Sequence, residues 1–442
     1  MNDQDTLAAL LEAARRAGAD AADALLVHSA SLHVTRRLGA IEQLERAEGV
    51  DLGLRVFLGA RVATVSGSDA SPAGFAALAE RAVAMARVVP EDALTVLADA
   101  PPPPALVLDL DDGQEPTAEA LLAAAALAED AALAVPGVTN SEGASAGWSR
   151  TRRALATSRG FFGAYARSAH SLSATALAGA GTGMQRDYDY TSATHLADLD
   201  APGLIGRRAG EQAVARLDPS RPASAKGVPV VYHPRVAASL LGHLASAING
   251  AAVARRTSFL KDAMGQRVLP PGLSLLDDPL RPRGPRSRPF DGEGQPGARR
   301  AMVEDGVLRS WFLDGRSARQ LGLATTGHAA RGTGGPPAPS PTNLWLEGGQ
   351  GTPEALMADI ASGIYVTELI GMGVNGVTGD YSRGAAGFAI RDGKLAEPVS
   401  EVTIAGNLRE MFLALRAAGD LEFRRGTDAP TLRVDGMTLA GA

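Results

Sequence analysis

The chain contains no cysteine. That excludes a disulfide framework, a thiolate nucleophile and any zinc or iron–sulfur site with a cysteine ligand. Metal chemistry would have to rest on carboxylates and on the seven histidines. Aromatic residues make up 4% of the chain, so packing must lean on Ala, Leu and Val. No run of about 18 uncharged apolar residues occurs, which argues against a membrane-spanning helix. The balance of 43 Lys and Arg against 49 Asp and Glu gives a formal net charge of −6. Such mild acidity offers no broad electrostatic footprint for nucleic acid or anionic lipid, so neither is expected as a partner. The N-terminal stretch carries acidic residues ahead of an amphipathic segment, without the basic start and apolar run of a signal peptide, and a cytoplasmic location is expected.

What is present is enough apolar residue, 45% against 21% charged over 442 residues, for two to four packed domains at roughly 100 to 200 residues each. Leu7, Leu10, Leu11 and Ala14 recur at helical spacing and predict a first helix over 6–17. The stretches 24–34 and 49–65 alternate and are punctuated by Gly39, Gly49, Gly59 and Gly67, which reads as an antiparallel meander. Ser71-Pro72 opens a helix. After a four-proline spacer at 101–104 the plan repeats, with an Ala-rich helix over 116–133 and long strands over 138–196. A helix at 201–217 precedes a Pro- and Ser-containing linker at 218–227. The chain therefore reads as α+β: an N-terminal α/β domain, 1–222, and a largely antiparallel β domain, 223–442. In the second, 228–232 is predicted as a strand, 237–254, 352–362 and 407–418 as helices, and 431–434 as a closing strand.

Several motifs invite a chemistry that their surroundings do not support. Gly371-Met-Gly-Val-Asn-Gly376 satisfies GxGxxG, but the third glycine runs into the β-branched, Gly-broken segment 377–381 instead of a helix that would hold a pyrophosphate. Ser258 and Lys261 have SxxK spacing without the partner motifs of that hydrolase class, and Asp380 replaces the first glycine of a GxSxG at Ser382. No His-Glu-x-x-His is found. Asp187, Asp189, His195, Asp198 and Asp200 form the best remaining metal-ligand set, against a solvated strand and helix cap. Arg281, Arg283, Arg286 and Arg288, interleaved with prolines, read as a solvated, mobile loop, or else as a grip for phosphate or an acidic partner. Tyr188 and Tyr190, on the strand face opposite Asp187 and Asp189, read as core or interface.

The stretch Val366 to Phe388 (VTELIGMGVNGVTGDYSRGAAGF), followed by Pro398 to Phe412 (PVSEVTIAGNLREMF), closely resembles the C-terminal signature of the TldE (PmbA) proteins. Gly242 to Gly250, Ser258-Phe-Leu260, Pro289 to Gly294 and Ser317 to Ala329 agree with it. The resemblance implies one subunit of a bacterial protease of two chains, in which a TldD-type partner carries zinc on a His-Glu-x-x-x-His motif with a later cysteine. Aligned on the preceding leucines, that motif falls on Gly242, His243 and Ala247, none of which matches. The resemblance therefore implies a chain without its own cofactor, with zinc in the partner subunit.

The function expected is a metal-free partner of a TldD-type zinc subunit, acting on small unfolded peptides. Its peptide channel is expected at Thr326, Gly327 and His328 and at Gly379, Asp380, Tyr381, Ser382, Arg383 and Gly384, where glycines admit a close backbone and Asp380, Arg383 and His328 can fix peptide groups. The same residues can instead serve turns or an interface. A second reading is a stand-alone homodimeric peptide-binding or scaffolding protein; a third is a hydrolase using Ser258 and Lys261.

Overall fold

The structure, a computed structural model, describes residues 2–441. It begins with helix α1 (Asp3–Arg16) and three strands, β1 (Ala21–Arg37), β2 (Ala40–Leu58) and β3 (Arg61–Gly67). Helices α2 (Pro72–Val88) and α3 (Ala118–Leu133), strands β4 (Val138–Thr157), β5 (Phe162–Ala178) and β6 (Gln185–Ala193), and helix α4 (Pro202–Ala215) follow. The strands form one antiparallel sheet in the order β3-β2-β1-β4-β5-β6. The meander, its repeat and the four helices are those the sequence predicts, and Ser71 caps α2 as expected, accepting from Gly74 N.

Alternation divides the labour between the faces of this sheet. Even-numbered residues such as Ala22, Ala24, Leu26 and Leu54 pack under α1 and α2, and Leu32, Val34, Ala146 and Leu172 pack under α3 and α4. The β1–β2 hairpin closes on Leu38-Gly39, both left-handed (φ 48° and 83°), the geometry a two-residue turn needs to match strand twist. Glu129 of α3, fully buried, accepts the Leu38 N–H at 2.7 Å and pins that turn to the helix layer. The odd-numbered face, carrying Asp23, Leu25, Arg153, Leu155, Tyr165 and Arg167, turns toward the C-terminal half.

That half starts with β7 (Ala225–Tyr232), α5 (Pro234–Ala247) and α6 (Gly250–Ala254), then β8 (Ser274–Asp278), β9 (Arg300–Glu304), β10 (Val307–Leu308), α7 (Gly315–Leu321), β11 (Ala329–Ala330), β12 (Ala338–Pro339) and β13 (Asn343–Glu347). It ends with α8 (Pro353–Met357), β14 (Ser362–Val374), β15 (Asp380–Arg391), β16 (Lys394–Asn407), α9 (Leu408–Leu413), β17 (Leu415–Ala417), β18 (Thr427–Asp428) and β19 (Leu432–Ala440). One sheet runs β16-β15-β14-β7-β19-β17, and a further β16–β19 pairing closes five of these strands into a ring. A second runs β10-β9-β8-β13-β18. Helix α5 lies in the main core between them, with Leu240, Leu241 and Leu244 almost wholly buried.

Three predicted helices are shorter than their patterns. The stretch 237–254 breaks at Asn249, whose side chain caps α6 and donates to Pro339 O at 2.8 Å. A Cβ on Gly250 would lie 2.3 Å from Leu313 Cδ2, so only glycine permits that approach. Helix 352–362 stops at Met357, because Ser362 onward is drawn into β14. Helix 407–418 stops at Leu413, because Leu415–Ala417 pairs with β19.

The two halves meet along a seam of ion pairs and close backbone contacts. Asp23, 1% exposed, accepts from Arg55 at 2.9 and 2.5 Å and from Arg331 across the seam at 2.5 Å. Burial alone would raise its carboxyl, but Arg331 and Arg55 together hold it below the usual range. Gly53 lets Thr333 approach: a Cβ there would sit 2.5 Å from Thr333 O. Phe290 stacks edge-on to Phe161 and Tyr165 over Gly163, where a Cβ would meet its ring at 2.6 Å.

Candidate functional site

The segment aligned with the family's zinc motif lies on α5. Pro234 opens that helix, His233 caps it by accepting the Arg235 N–H at 3.0 Å, and its apolar face enters the core. Gly242 lies on the other face, with open space where a Cβ would be. It borders a cavity of about 420 Å³ with Ser239, Ser246, Asn249, Arg286 and Arg425. His243 turns away toward Tyr381, its ring 6.0 Å from the phenol and edge-on to it. Its Nε2 is buried without a hydrogen-bond partner, and burial, reinforced by Arg383, lowers its pKa, so the imidazole stays neutral near pH 7. Ala247 is 3% exposed, and its carbonyl accepts from Ser258 Oγ at 2.5 Å.

These residues do not fit zinc. Neither Gly242 nor Ala247 has a lone pair on its side chain, the adjoining cavity presents two guanidinium cations, and the only imidazole faces a tyrosine. Among the described residues no group of three His, Cys, Asp or Glu side chains is placed to hold a metal ion.

The candidate channel residues form two clusters, with no hydrogen bond joining them among the described residues. Thr326-Gly327-His328 lies in the loop after α7. His328 is 1% exposed, sharing Nε2 with Asp277 at 3.0 Å and Nδ1 with Thr326 Oγ1 at 2.8 Å, and its ring stands edge-on to Phe312. Gly327 (φ 72°) fits against Pro296 O. Gly379 to Gly384 leaves the β14–β15 turn and enters β15. Asp380 and Ser382 face solvent; Asp380 accepts from Thr378 Oγ1 and Asn407 Nδ2. Tyr381 is buried, which pushes its hydroxyl to about 12, and Arg383 donates to Ile370 O at 3.3 Å. Gly384 lies against Ile370 of β14.

The other motifs resolve as structural parts. Gly371 to Gly376 runs along β14 into its turn and opens no helix. Ser258 is 1% exposed and caps its own turn by accepting Leu260 N–H at 3.0 Å, so it presents no nucleophile. The acidic set is taken up by arginines instead of a metal. Asp187 meets Arg235 at 2.8 Å and Arg216 at 3.2 Å, Asp189 lies 3.7 Å from Arg208, and Asp200 is bridged by Arg208 and Arg424. His195 reaches Asp109, and Asp198 pairs with Arg283.

The Arg281–Arg288 loop is not a free, solvated loop: it is clamped between the halves. Arg281 lies 3.6 Å over the Phe423 ring, Arg283 pairs with Asp109 at 2.6 Å, and Arg167 of β5 donates to Pro285 O at 2.8 Å. The sequence reading missed Arg153, Arg167 and Arg331. For Arg153 and Arg167 the visible signal was arginine at odd positions of β4 and β5, where the meander would expose them on the face away from its helices; Arg331, just past β11, gave none.

Family models of the PmbA/TldA metallopeptidases match almost the whole chain: domain 1 over residues 22–86, the central domain over 111–217 and the C-terminal domain over 225–441. The metalloprotease PmbA of Escherichia coli O157:H7 is 35% identical over 432 residues, covering 96% of this chain and 92% of that protein. A PmbA homolog of Haemophilus influenzae is 34% identical, covering 98% and 94%. A Bacteroides thetaiotaomicron structure, proposed to be a modulator of DNA gyrase, superposes with a TM-score of 0.87 at 26% identity over 100% of this chain and 99% of that one. TldE from Thermococcus kodakarensis superposes equally well, TM-score 0.87, at 20% identity over 99% and 100%, and so shares the fold. Among the described residues no helix is long and apolar enough to cross a membrane. With three domain models in sequence and full-length relatives above 30% identity, the chain belongs to the PmbA/TldD metallopeptidase family.

Proposed function

We propose that this chain is the metal-free partner subunit of a zinc protease of this family, and that the pair processes or degrades small unfolded peptides. The observation that carries the reading is the α5 segment: glycine, histidine and alanine stand at the three motif positions, and no cysteine exists for the third ligand. A neutral imidazole at position 243, aimed at Tyr381, cannot replace a carboxylate base over a metal-bound water.

Two surfaces support an obligate partner, expected to be a TldD-type zinc-binding chain. The β1–β2 hairpin exposes Leu38, Ile41 and Leu44, and the β14–β15 hairpin exposes Ile370, Met372 (85% exposed) and Val377. Protruding apolar tips of this kind are characteristic of interfaces. The N-terminal sheet ends in β3 and β6, edges at which an extended peptide can add by main-chain hydrogen bonds. Of the proposed channel residues, Asp380 and Ser382 face solvent, while Gly327, His328, Tyr381 and Arg383 are buried.

The test is cleavage of an unstructured peptide by this chain alone, by its organism's zinc-binding relative alone, and by the two mixed, each with and without chelator. Chelator-sensitive cleavage that needs both chains is expected. Cleavage by this chain alone would overturn the reading.

A further inference from the structure

Three cavities share lining residues in succession, the first within the C-terminal half and the other two along the seam between the halves. The first, about 420 Å³, lies over Gly242 and Ser239 of α5 and ends at Arg286 and Pro341. The second, about 300 Å³, continues from Arg286 and Pro341 past Arg167 and Arg288 to Arg153 and Tyr165. The third, about 400 Å³, shares Arg153, Tyr165 and Arg288 with the second and extends to Phe290 and Arg331. Together they form one groove that neither half could build alone.

Its charge is unlike that of the chain. Among the described residues, Arg153, Arg167, Arg286 and Arg288 have no carboxylate within ion-pair distance, although most arginines of this acidic protein do. Arg167 Nε and Arg288 Nε and Nη2 are buried without a hydrogen-bond partner among the protein atoms. The single acid on the wall, Asp291, is already occupied by the N–H groups of Glu293, Gln295 and Ala329. Burial lowers the Arg167 pKa, and the nearby charges of Arg153 and Arg288 lower it further. Gathering like-charged forks around buried, unused donors is unfavourable unless an anion enters.

We propose that this groove binds an acidic segment of an extended peptide, its Asp or Glu carboxylates held in the guanidinium forks. Planar forks match carboxylates two bonds at a time, and Leu25, Leu155 and Phe290 supply apolar wall between the charges. The groove does not suit a nucleic-acid strand: Tyr165 is packed edge-to-face on Phe290 at 5.5 Å, so no row of open rings is available to stack bases. That the anion belongs to a peptide rests on the proposed function; binding itself does not.

The test therefore uses the full chain without a partner, so that failure of binding and failure of two-chain proteolysis are read separately. A labelled, unstructured Asp/Glu-rich peptide, a Lys-rich peptide of equal length, inorganic phosphate and a single-stranded oligonucleotide are compared by fluorescence anisotropy and competition. The acidic peptide is expected to bind and to weaken with salt. In Arg153→Gln/Arg288→Gln its affinity should fall at least about tenfold, while Arg87→Gln, exposed and distant, leaves it unchanged. Arg153→Lys/Arg288→Lys, which keeps the charge without the fork, should fall between, and it decides the matter if the glutamine pair fails to fold. Equal binding of acidic and basic peptides, displacement by the oligonucleotide in preference to acidic peptide, or unchanged affinity in both double variants would each overturn the proposal.

Discussion

At Asp23 and Asp187 the seam neutralises its arginines, two around each carboxylate and all of them largely buried. On the neighbouring strands β4 and β5, Arg153 and Arg167 meet backbone carbonyls and, among the described residues, no carboxylate. The contrast separates holding from receiving. A buried ion pair adds little net stability over a well-packed apolar contact, yet removing one member strands its partners at high cost. Guanidiniums left without a carboxylate therefore make sense where an outside anion completes them.

The largest expected effect comes from breaking the neutralised part. Asp23→Asn strands Arg55 and Arg331 and should lower unfolding free energy by about 3–5 kcal/mol, read by chemical denaturation. Asp187→Asn should cost less, about 2–3 kcal/mol, because Arg235 keeps its bonds to Thr367 O and Arg216 keeps Glu368. Gly163→Ala pushes a methyl into the Phe290 ring and should cost about 1–3 kcal/mol, opening the groove's wall without touching its charges; thermal unfolding and acidic-peptide affinity should both drop. If peptide affinity survives Gly163→Ala but not Arg153→Gln/Arg288→Gln, charge and not shape dominates.

A subtler comparison is available at Glu293, which lies beside the same seam and accepts the Gly315 N–H at 2.7 Å. Burial raises its pKa to about 7; Arg55 opposes this, while Asp291 and Asp314 add to it. Because the folded value lies above the unfolded value of 4.5, folding takes up a proton in that window. The protein should thus lose stability relative to Glu293→Gln as pH rises from about 4.5 to about 7, with a constant gap above it, of order 3 kcal/mol. A gap independent of pH would show that folding leaves the Glu293 carboxyl's proton affinity unchanged.

Much of the fold was legible because local signals and tertiary demands agreed. Ser71-Pro72 and the alternating strands of the first sheet formed as read. Disagreement arose where distant pairing overrode local preference: Leu415–Ala417 continues a helical pattern but completes an edge with β19. That Gly242 and Ala247 of α5 offer no side-chain donor was visible from residue identity alone. The groove was not, because Arg153, Arg167 and Arg288 are far apart in sequence, and an arginine at an odd strand position looks the same whether it faces solvent, a carboxylate or a cavity. Only the docking of the two halves distinguishes them.

The most direct test of the central claim is metal content. After zinc loading and exhaustive dialysis, elemental analysis of this chain alone should find no zinc above background, and its complex with a zinc-binding relative should hold about one ion per pair. One tightly bound zinc per molecule of the isolated chain would contradict the account, since it would require ligands that α5 and its surroundings do not supply.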